Sequence, residues 1–305
     1  MTGNVSGASA ATDPSGRLQD VPVGVDPTRP SIARVYDAFL GGKDNYEIDR
    51  EVMRGVLSAA PEARDLATEN RGFLIRACRF LAEQTGVDQY LDLGSGLPTA
   101  ENTHQVVQQI NPDATVVYVD NDPVVLAHSR MLLEGQGRSH VVAADIFKPA
   151  EVLQNEEIRV WIDFDRPLAL LQLGTLHHYN GARGAPARIM AEYIHALPSG
   201  SYVVISHFLD PENEHSGVAL AMEDMFLHSP MGTGTFRTRA EMLDLFDGLE
   251  LITPGLIRCA DWRPVGPQPR PLNPVQHCIA GAIGRIWAGA APAFSQSDSA
   301  ACRRS

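Results

Sequence analysis

The sequence predicts an α/β protein with an open, mostly parallel sheet and a helical cap at its N-terminal end. Two observations predict this class. Residues 31–86 show helical periodicity throughout, whereas after Gly86 short apolar runs alternate with helical stretches. Strands that are apolar along their whole length are typical of parallel sheets, which helices cover on both faces.

Composition and length fit this class. The chain has 305 residues, of which 44% are hydrophobic, enough for a large buried core. Residues 1–28 are rich in small and polar residues without apolar periodicity, so we expect a disordered tail. We expect the helical cap at 29–86, the sheet domain at 87–287 and a second flexible tail at 288–305.

Charge and cysteine content exclude several function classes. The 25 Lys and Arg residues face 37 Asp and Glu residues, so the net charge is −12 and nucleic acid is an unfavourable partner. The four cysteines stand far apart without zinc-ligand spacing, and their number does not suit a disulfide framework. We find no signal-peptide pattern and no run of about 18 apolar residues, so we expect a cytoplasmic protein without a membrane span.

Three helices are predicted in the cap. Ser31 caps the first, which Gly41-Gly42 ends, the second runs from about Tyr46 to Ala59, and the third follows Pro61. The glycine pair is suited to a flexible joint, and two interpretations of the helices stay open: a lid, or a pair that only covers the sheet edge. As a lid, the cap contributes polar groups to a cleft, namely Arg34, Tyr36, Asn45 and Tyr46.

Seven strands and five helices are predicted in the sheet domain. The strands are expected at 90–93, 115–119, 140–144, 168–173, 202–206, 249–257 and 276–282. The helices are expected at 99–110, 123–133, 185–196, 213–226 and 239–246. Ligands of such sheets bind beyond the carboxyl ends of the strands, so the residues that follow each strand matter most.

The first predicted strand ends in Asp92-Leu93-Gly94-Ser95-Gly96. Two glycines between a strand and a helix let the backbone pass close to a ligand, although a tight turn alone would also use them. Thr99 stands where a dinucleotide fingerprint has its third glycine. The Asp92 carboxylate would repel a pyrophosphate and attract an ammonium group. The turn therefore favours a nucleoside that bears an amino acid over NAD.

The next two predicted strands also end in acids. Asp120 is placed to accept both hydroxyls of a ribose, or alternatively to pair with a helix dipole, and Asp122 before Pro123 is a helix N-cap. Asp145 can accept a hydrogen bond from an exocyclic amine such as that of adenine, with Ile146 packing on the ring, or it is an ordinary solvated loop residue. Three such acids at successive strand ends match three parts of one ligand.

These residues resemble class I S-adenosylmethionine-dependent methyltransferases. Asp92-x-Gly94-x-Gly96 is similar to their first motif, although Pro98 replaces its third glycine. Three further segments resemble an actinobacterial methyltransferase family formerly described as a domain of unknown function: Ile32 to Tyr46, Asn70-Arg71-x-Phe73-Leu74 and Asp261-Trp262-Arg263-Pro264. The resemblance implies a Rossmann-like sheet whose seventh strand is antiparallel, with S-adenosylmethionine as cofactor. The predicted cofactor-binding residues are Tyr36, Asp92, Gly94, Ser95, Gly96, Asp120, Asn121, Asp145, Ile146 and Leu173.

Candidate catalytic residues follow the fourth predicted strand. His177 and His178 stand over the expected methyl position and can take a proton near neutral pH, or they hold backbone carbonyls as an ordinary loop pair. His207, at the end of the fifth strand, is a second candidate. Asp163 and Asp165 near these histidines show no metal-ligand spacing, so we predict no metal site.

The predicted function is methyl transfer to a small-molecule acceptor. The segment after the fourth strand lacks the Asn-Pro-Pro-Tyr that marks methylation of exocyclic or amide nitrogens, although a protein side chain stays open as an acceptor. Two alternatives also stay open: a non-catalytic module that binds S-adenosylmethionine, and an NAD-dependent oxidoreductase. The sequence leaves the oligomeric state open, a homodimer included.

Overall fold

A computed structural model of the chain describes residues 25–99, 101–266 and 271–287. The predicted C-terminal tail and residues 1–24 of the predicted N-terminal tail lie outside the described residues. The α-helices are α1 (Ile32–Phe39), α2 (Glu47–Ala59), α3 (Arg64–Gln84), α4 (Thr103–Gln108), α5 (Pro123–Leu133), α6 (Pro149–Leu153), α7 (Glu156–Trp161), α8 (Ala185–Ala196), α9 (Ser216–His228) and α10 (Arg239–Leu243). The strands are β1 (Gln89–Leu93), β2 (Thr115–Asp120), β3 (Ser139–Ala143), β4 (Ala169–Leu173), β5 (Tyr202–Phe208), β6 (Glu250–Leu251), β7 (Ile257–Arg258) and β8 (Ile279–Arg285).

The strands form one sheet in the order β3-β2-β1-β4-β5-β8-β6, with β7 also paired to β8. β1 to β5 are mutually parallel, and β8 runs antiparallel to β5, β6 and β7. The predicted α/β class and the antiparallel last strand are confirmed. Strand order reverses between β1 and β4, and this switch point is where ligands bind in open sheets.

Helices cover both faces of the sheet, as its apolar strands require. Along β2, Val116 and Tyr118 pack into one core cluster, whereas Val117 and Val119 pack into the other. Successive side chains of a strand point to opposite faces of the sheet, and here both faces are buried. The first cluster includes apolar residues of α1, α2 and α3, so the cap and the sheet share one continuous core.

The sequence-based boundaries need four corrections. The predicted strand 249–257 is split into β6 and β7, because Pro254 has no N–H to donate and Gly255 turns with φ +84°. The described sheet therefore has eight strands instead of seven. The predicted helix 99–110 starts later, after the Asn102 cap, and the strand predicted from 276 follows a 3₁₀ segment at Pro274–Cys278. α6 and α7 were not predicted, because helices of five and six residues show little periodicity.

The cap is fixed by a buried carboxylate. Asp49 accepts hydrogen bonds from the backbone N–H of Ser31 (3.0 Å) and of Tyr46 (2.8 Å) and from Arg34 Nε (2.8 Å). The Arg34–Asp49 pair is almost fully buried. One side chain therefore joins the starts of α1 and α2.

The second glycine of the pair that ends α1 is closely packed. A Cβ on Gly42 would lie 1.9 Å from Asp37 Oδ1, so this glycine permits close packing. Asp37 Oδ2 also accepts hydrogen bonds from Asp44 N (3.0 Å) and Asn45 Nδ2 (2.7 Å). The loop between α1 and α2 is therefore held by the residues that flank it.

Candidate active site

A cavity of about 470 Å³, here called the main cavity, lies at the carboxyl ends of β1 to β4. It sits at the switch point of the sheet, and residues 25–36 form its wall on the cap side. Its volume is typical of sites for small molecules. All ten residues that the sequence predicts as cofactor-binding line it: Tyr36, Asp92, Gly94, Ser95, Gly96, Asp120, Asn121, Asp145, Ile146 and Leu173.

The turn after β1 depends on its first glycine. Gly94 has φ +75°, and a Cβ there would lie 2.5 Å from Thr175 Cγ2. Its backbone N–H donates to Val119 O at 2.7 Å, which ties the turn to β2. Next to it, Ser95 Oγ is buried and has no hydrogen-bond partner among the described residues. A buried hydroxyl of this kind is suited to a ligand in the main cavity.

Asp92 is a buried acid on the floor of the main cavity. Its Oδ2 accepts a hydrogen bond from Thr103 Oγ1 at 2.7 Å. Burial raises the pKa of Asp92 to about 6, and the nearby Asp120 carboxylate adds to the shift. A cation placed beside it would lower this pKa again, because the charged form would then be stabilised.

Asp120 organises the loop after β2. Its Oδ2 accepts from Gly96 N at 3.0 Å and its Oδ1 from Asp122 N at 2.9 Å. Burial raises the pKa of Asp120, while these backbone hydrogen bonds oppose the shift. Each oxygen keeps a second lone pair for a ligand hydroxyl. The alternative of simple pairing with a helix dipole fits less well, because Asp122 is the residue that caps α5, at 2.8 Å from Val124 N.

Asp145 and Ile146 follow β3 on the next side of the main cavity. Asp145 Oδ1 accepts from Phe147 N at 3.0 Å, and its Oδ2 lies 3.7 Å from Lys148 Nζ. Tyr193 donates its hydroxyl to Ile146 O at 2.9 Å, which fixes the Ile146 backbone. The acid and the apolar side chain are therefore held side by side on one wall.

The two candidate catalytic histidines lie in different places. His178 lines the main cavity, with Nδ1 at 3.1 Å from Thr233 Oγ1, and burial lowers its pKa to about 3. His177 does not line the main cavity. It lines a narrower space beyond it, and burial lowers its pKa well below the usual value. Both rings are thus neutral at pH 7.

His207 is not placed to act on a substrate. Its Nδ1 contacts Phe208 O and its Nε2 contacts Arg237 Nη1, both at 2.7 Å, and the ring is fully buried. With both nitrogens occupied, the sequence-based candidacy of His207 as a base is wrong. Its place at the end of β5 was correct, but that strand end lies outside the main cavity.

The cap contributes a different set of polar groups from the one predicted. Arg34 and Tyr36 line the main cavity, whereas Asn45 and Tyr46 do not. Asn70 lines it as well: its Oδ1 accepts from Ser206 Oγ and its Nδ2 donates to Tyr36 Oη at 3.1 Å. Sequence reasoning gave Asn70 no role, because only the fold brings α3 over the end of β4.

A loop with two glycines was also missed. Met231 and Thr233 line the main cavity from the loop between α9 and α10, where Gly232 (φ +65°) and Gly234 (φ +136°) flank Thr233. The alternation of glycines in this loop was the available signal. No group of His, Cys, Asp and Glu in the described parts of the chain could hold a metal ion. The same residues include no helix long and apolar enough to cross a membrane.

Comparison with known proteins identifies the family. The model of a family described as S-adenosyl methyltransferase matches residues 19–287. A Thermobifida fusca structure, provisionally assigned as a methyltransferase, is 41% identical with a TM-score of 0.82, covering 88% of this chain and 98% of that one. A DUF574 family protein from Streptomyces avermitilis is 33% identical with a TM-score of 0.79, covering 86% and 99%. No curated protein matches significantly.

Proposed function

The chain belongs to the S-adenosyl methyltransferase family, and we propose that it methylates a small-molecule acceptor in the main cavity. It is an S-adenosylmethionine-dependent methyltransferase, so the NAD-dependent and non-catalytic alternatives fall away. The observation that carries the proposal is that one cavity gathers the acids of three successive strand ends beside the cap.

The residues of the main cavity fit the parts of this cofactor. Asp120 is assigned to the ribose hydroxyls, because its oxygens have free lone pairs beside the Gly96 turn. Asp92 is assigned to the amino acid end, whose ammonium would offset the cost of its burial. Asp145 and Ile146 are assigned to the adenine, and the unpaired Ser95 hydroxyl is available to the cofactor between them.

When bound, the cofactor would supply a methyl group on a sulfonium: the acceptor's lone pair would bond to the methyl carbon, and the carbon–sulfur bond would break with its electrons on sulfur. The protein's task is alignment and exclusion of water. We assign His178 to the acceptor's proton, because the neutral ring lines the main cavity and Thr233 fixes its orientation. A weak base suffices here, since an oxygen that has gained a methyl group holds its proton very loosely.

The size of the main cavity favours a small acceptor. Its volume of about 470 Å³ has to hold the cofactor as well as the reacting part of the acceptor. Residues 25–36 close one side of the main cavity, and Ser31 Oγ donates to Asp122 Oδ2 in the loop after β2 at 2.5 Å. An acidic chain of net charge −12 also disfavours a nucleic acid acceptor.

A transfer assay tests this proposal. The protein is incubated with S-adenosylmethionine carrying a labelled methyl group and with an actinobacterial cell extract, which is then separated into low-mass and macromolecular fractions. We expect the label in the low-mass fraction, its loss in Asp120→Asn, and its retention in Asp113→Asn at the opposite end of β2. Label in protein or nucleic acid would contradict the small-molecule acceptor.

A further inference from the structure

A second, apolar space opens off the main cavity; we call it the side chamber. The two spaces meet beyond the end of β4, where they share the lining residues Ile32, Tyr36, Asn70, Gly174, His178 and Met231. The side chamber extends from there between the cap and β5, and its remaining lining is almost wholly hydrophobic: Val35, Phe39, Leu66, Phe208, Phe226 and Ile279. Among the residues that the structure describes, no Asp, Glu, Lys or Arg lines the side chamber.

Aromatic rings dominate one wall of the side chamber. The His177 ring stacks on Phe208 with centroids 3.6 Å apart and an interplanar angle of 11°. Phe208 in turn stacks on Phe226 at 5.6 Å and 21°. This wall offers a flat partner to a further ring.

One polar atom in this wall has no partner. His177 is 2% exposed, and its Nδ1 has no hydrogen-bond partner among the described residues. By contrast, the Tyr36 hydroxyl, where the two spaces meet, donates to Ala67 O at 3.1 Å and accepts from Asn70. Among the described residues that line the side chamber, His177 is therefore the one with a buried side-chain nitrogen that lacks a partner, and such a group is suited to a ligand hydroxyl.

Charge selects the ligand. A charged acceptor would lose its hydration in an apolar space that offers no countercharge, which is costly. Arg237 contacts His207, whose ring centroid lies 5.2 Å from that of His177. The positive charge of Arg237 would repel a cation in the side chamber, which adds to the cost of its lost hydration. A hydroxyl suits the neutral His177 in either tautomer, because it can both donate and accept.

We propose that the side chamber is the acceptor subsite and that it takes a neutral aromatic alcohol. One hydroxyl of this acceptor pairs with His177, while the atom that is methylated lies beside His178, where the two spaces meet. This inference rests on the proposed function. The side chamber measures only about 30 Å³, which is too small for an aromatic ring, so a ring enters only if a wall withdraws. Met231 is that wall: it is half-buried, flexible, and followed by Gly232 and Gly234.

Ligand binding tests the proposal in the presence of saturating S-adenosylhomocysteine. Phenol is the probe, with toluene, benzoate and benzylammonium as matched compounds. We expect phenol to bind about tenfold more tightly than each of them, the effect of one hydrogen bond or one avoided charge burial. We expect His177→Phe, which keeps a ring on Phe208, to bind phenol no better than toluene. His195→Phe, the same exchange on the exposed side of α8, should leave phenol binding unchanged.

The withdrawal of Met231 can be tested separately, starting with the unmodified protein. With methyl-labelled methionine, phenol should shift the NMR signal of Met231 but not that of the exposed Met131, and Met231→Ala should tighten phenol binding several-fold. Equal binding of benzoate or benzylammonium, unchanged phenol binding in His177→Phe, or an unmoved Met231 signal would overturn the inference. If any of these results came with intact S-adenosylhomocysteine binding, only the acceptor subsite would be refuted, and the proposed function would stand. Absent S-adenosylhomocysteine binding would remove the proposed cofactor site instead.

Discussion

At the scale of single residues, Asp92 shows that a group suited to ligand binding can lower the stability of the free protein. Asp92 is a buried carboxylate with one hydrogen bond to a side chain, from Thr103, and burial raises its pKa from 3.8 to about 6. Because the folded state binds this proton more tightly than the unfolded state, the free energy of unfolding decreases as pH rises from about 4 to about 6. A residue that costs stability at neutral pH is typical of a ligand site.

Replacement of Asp92 by Asn should therefore stabilise the free protein at pH 7, by up to about 3 kcal/mol for a pKa shift of roughly two units. Urea unfolding at pH 7 and pH 4.5 measures this effect. We expect the gain at pH 7 and little gain at pH 4.5, where the native carboxyl is already protonated. A variant that is less stable at pH 7 would show that the Asp92 charge contributes to the fold.

The same residue predicts the pH dependence of cofactor affinity. S-adenosylmethionine should bind fully above pH 6 and weaken by up to about tenfold per pH unit below it, because the ammonium needs the Asp92 charge. Calorimetric titrations between pH 5 and pH 8 measure this dependence. The Asp92→Asn variant should bind the cofactor more weakly at pH 7 and lose most of the pH dependence. We expect the remaining pH dependence to come from Asp120, because burial raises its pKa as well. An unchanged profile in Asp92→Asn would place the ammonium elsewhere.

At the scale of elements, short connections decide which side chains meet. The turn after β1 was predicted from its glycines, and the structure places the first of them, Gly94, against Thr175 and Ile146. The position of Asn70 against Gly174 was not predictable, because it depends on how α3 crosses the end of β4. The periodicity of a helix shows which face is buried, but not which strand end that face reaches.

Gly94→Ala tests the turn after β1. A Cβ there would lie 2.5 Å from Thr175 Cγ2 on a backbone with φ +75°. We expect a loss of about 1–3 kcal/mol in the free energy of unfolding, with weaker cofactor binding. Gly86→Ala is the matched control, since it shares a positive φ but has open space around it. Equal losses in the two variants would mean that only backbone strain matters at Gly94.

The Arg34–Asp49 pair tests how the cap is held. Asp49→Ala leaves Arg34 as an uncompensated charge with 4% side-chain exposure, which should cost about 3–5 kcal/mol. Glu47→Ala removes a carboxylate on the same helix that pairs with Arg50 and Arg54 in contact with solvent, and should cost less than about 1 kcal/mol. Urea unfolding compares the two, and similar small losses would show that the cap does not depend on this pair.

At the scale of the whole molecule, the fold class followed from the sequence and the details did not. The alternation of apolar runs and helical stretches predicted the parallel sheet. The strand-end rule placed nine of the ten predicted residues that line the main cavity, and the tenth, Tyr36, belongs to the cap. The strand near 250 failed because a proline and a glycine break it, and His207 failed because an arginine far along the chain occupies its ring. Such outcomes depend on long-range packing, which cannot be read from a single sequence.

The continuous core predicts cooperative unfolding. Trp262, after β7, packs edge-on against Phe73 of α3 with centroids 5.3 Å apart, so it reports on the contact between cap and sheet. Residues of the cap and the sheet share one core cluster. We therefore expect fluorescence and far-ultraviolet circular dichroism to give coincident urea transitions. An earlier fluorescence transition would show that the cap detaches before the sheet unfolds.

A calorimetric titration with S-adenosylmethionine tests the central claim, that the strand-end acids hold the cofactor in the main cavity. We predict one-to-one binding for the native protein, retained binding in Asp113→Ala, and at least a tenfold loss in Asp120→Ala, which removes a carboxylate assigned to two ribose hydroxyls. NAD should give no signal. Unchanged affinity in Asp120→Ala, with that variant folded, would contradict the assignment of the site.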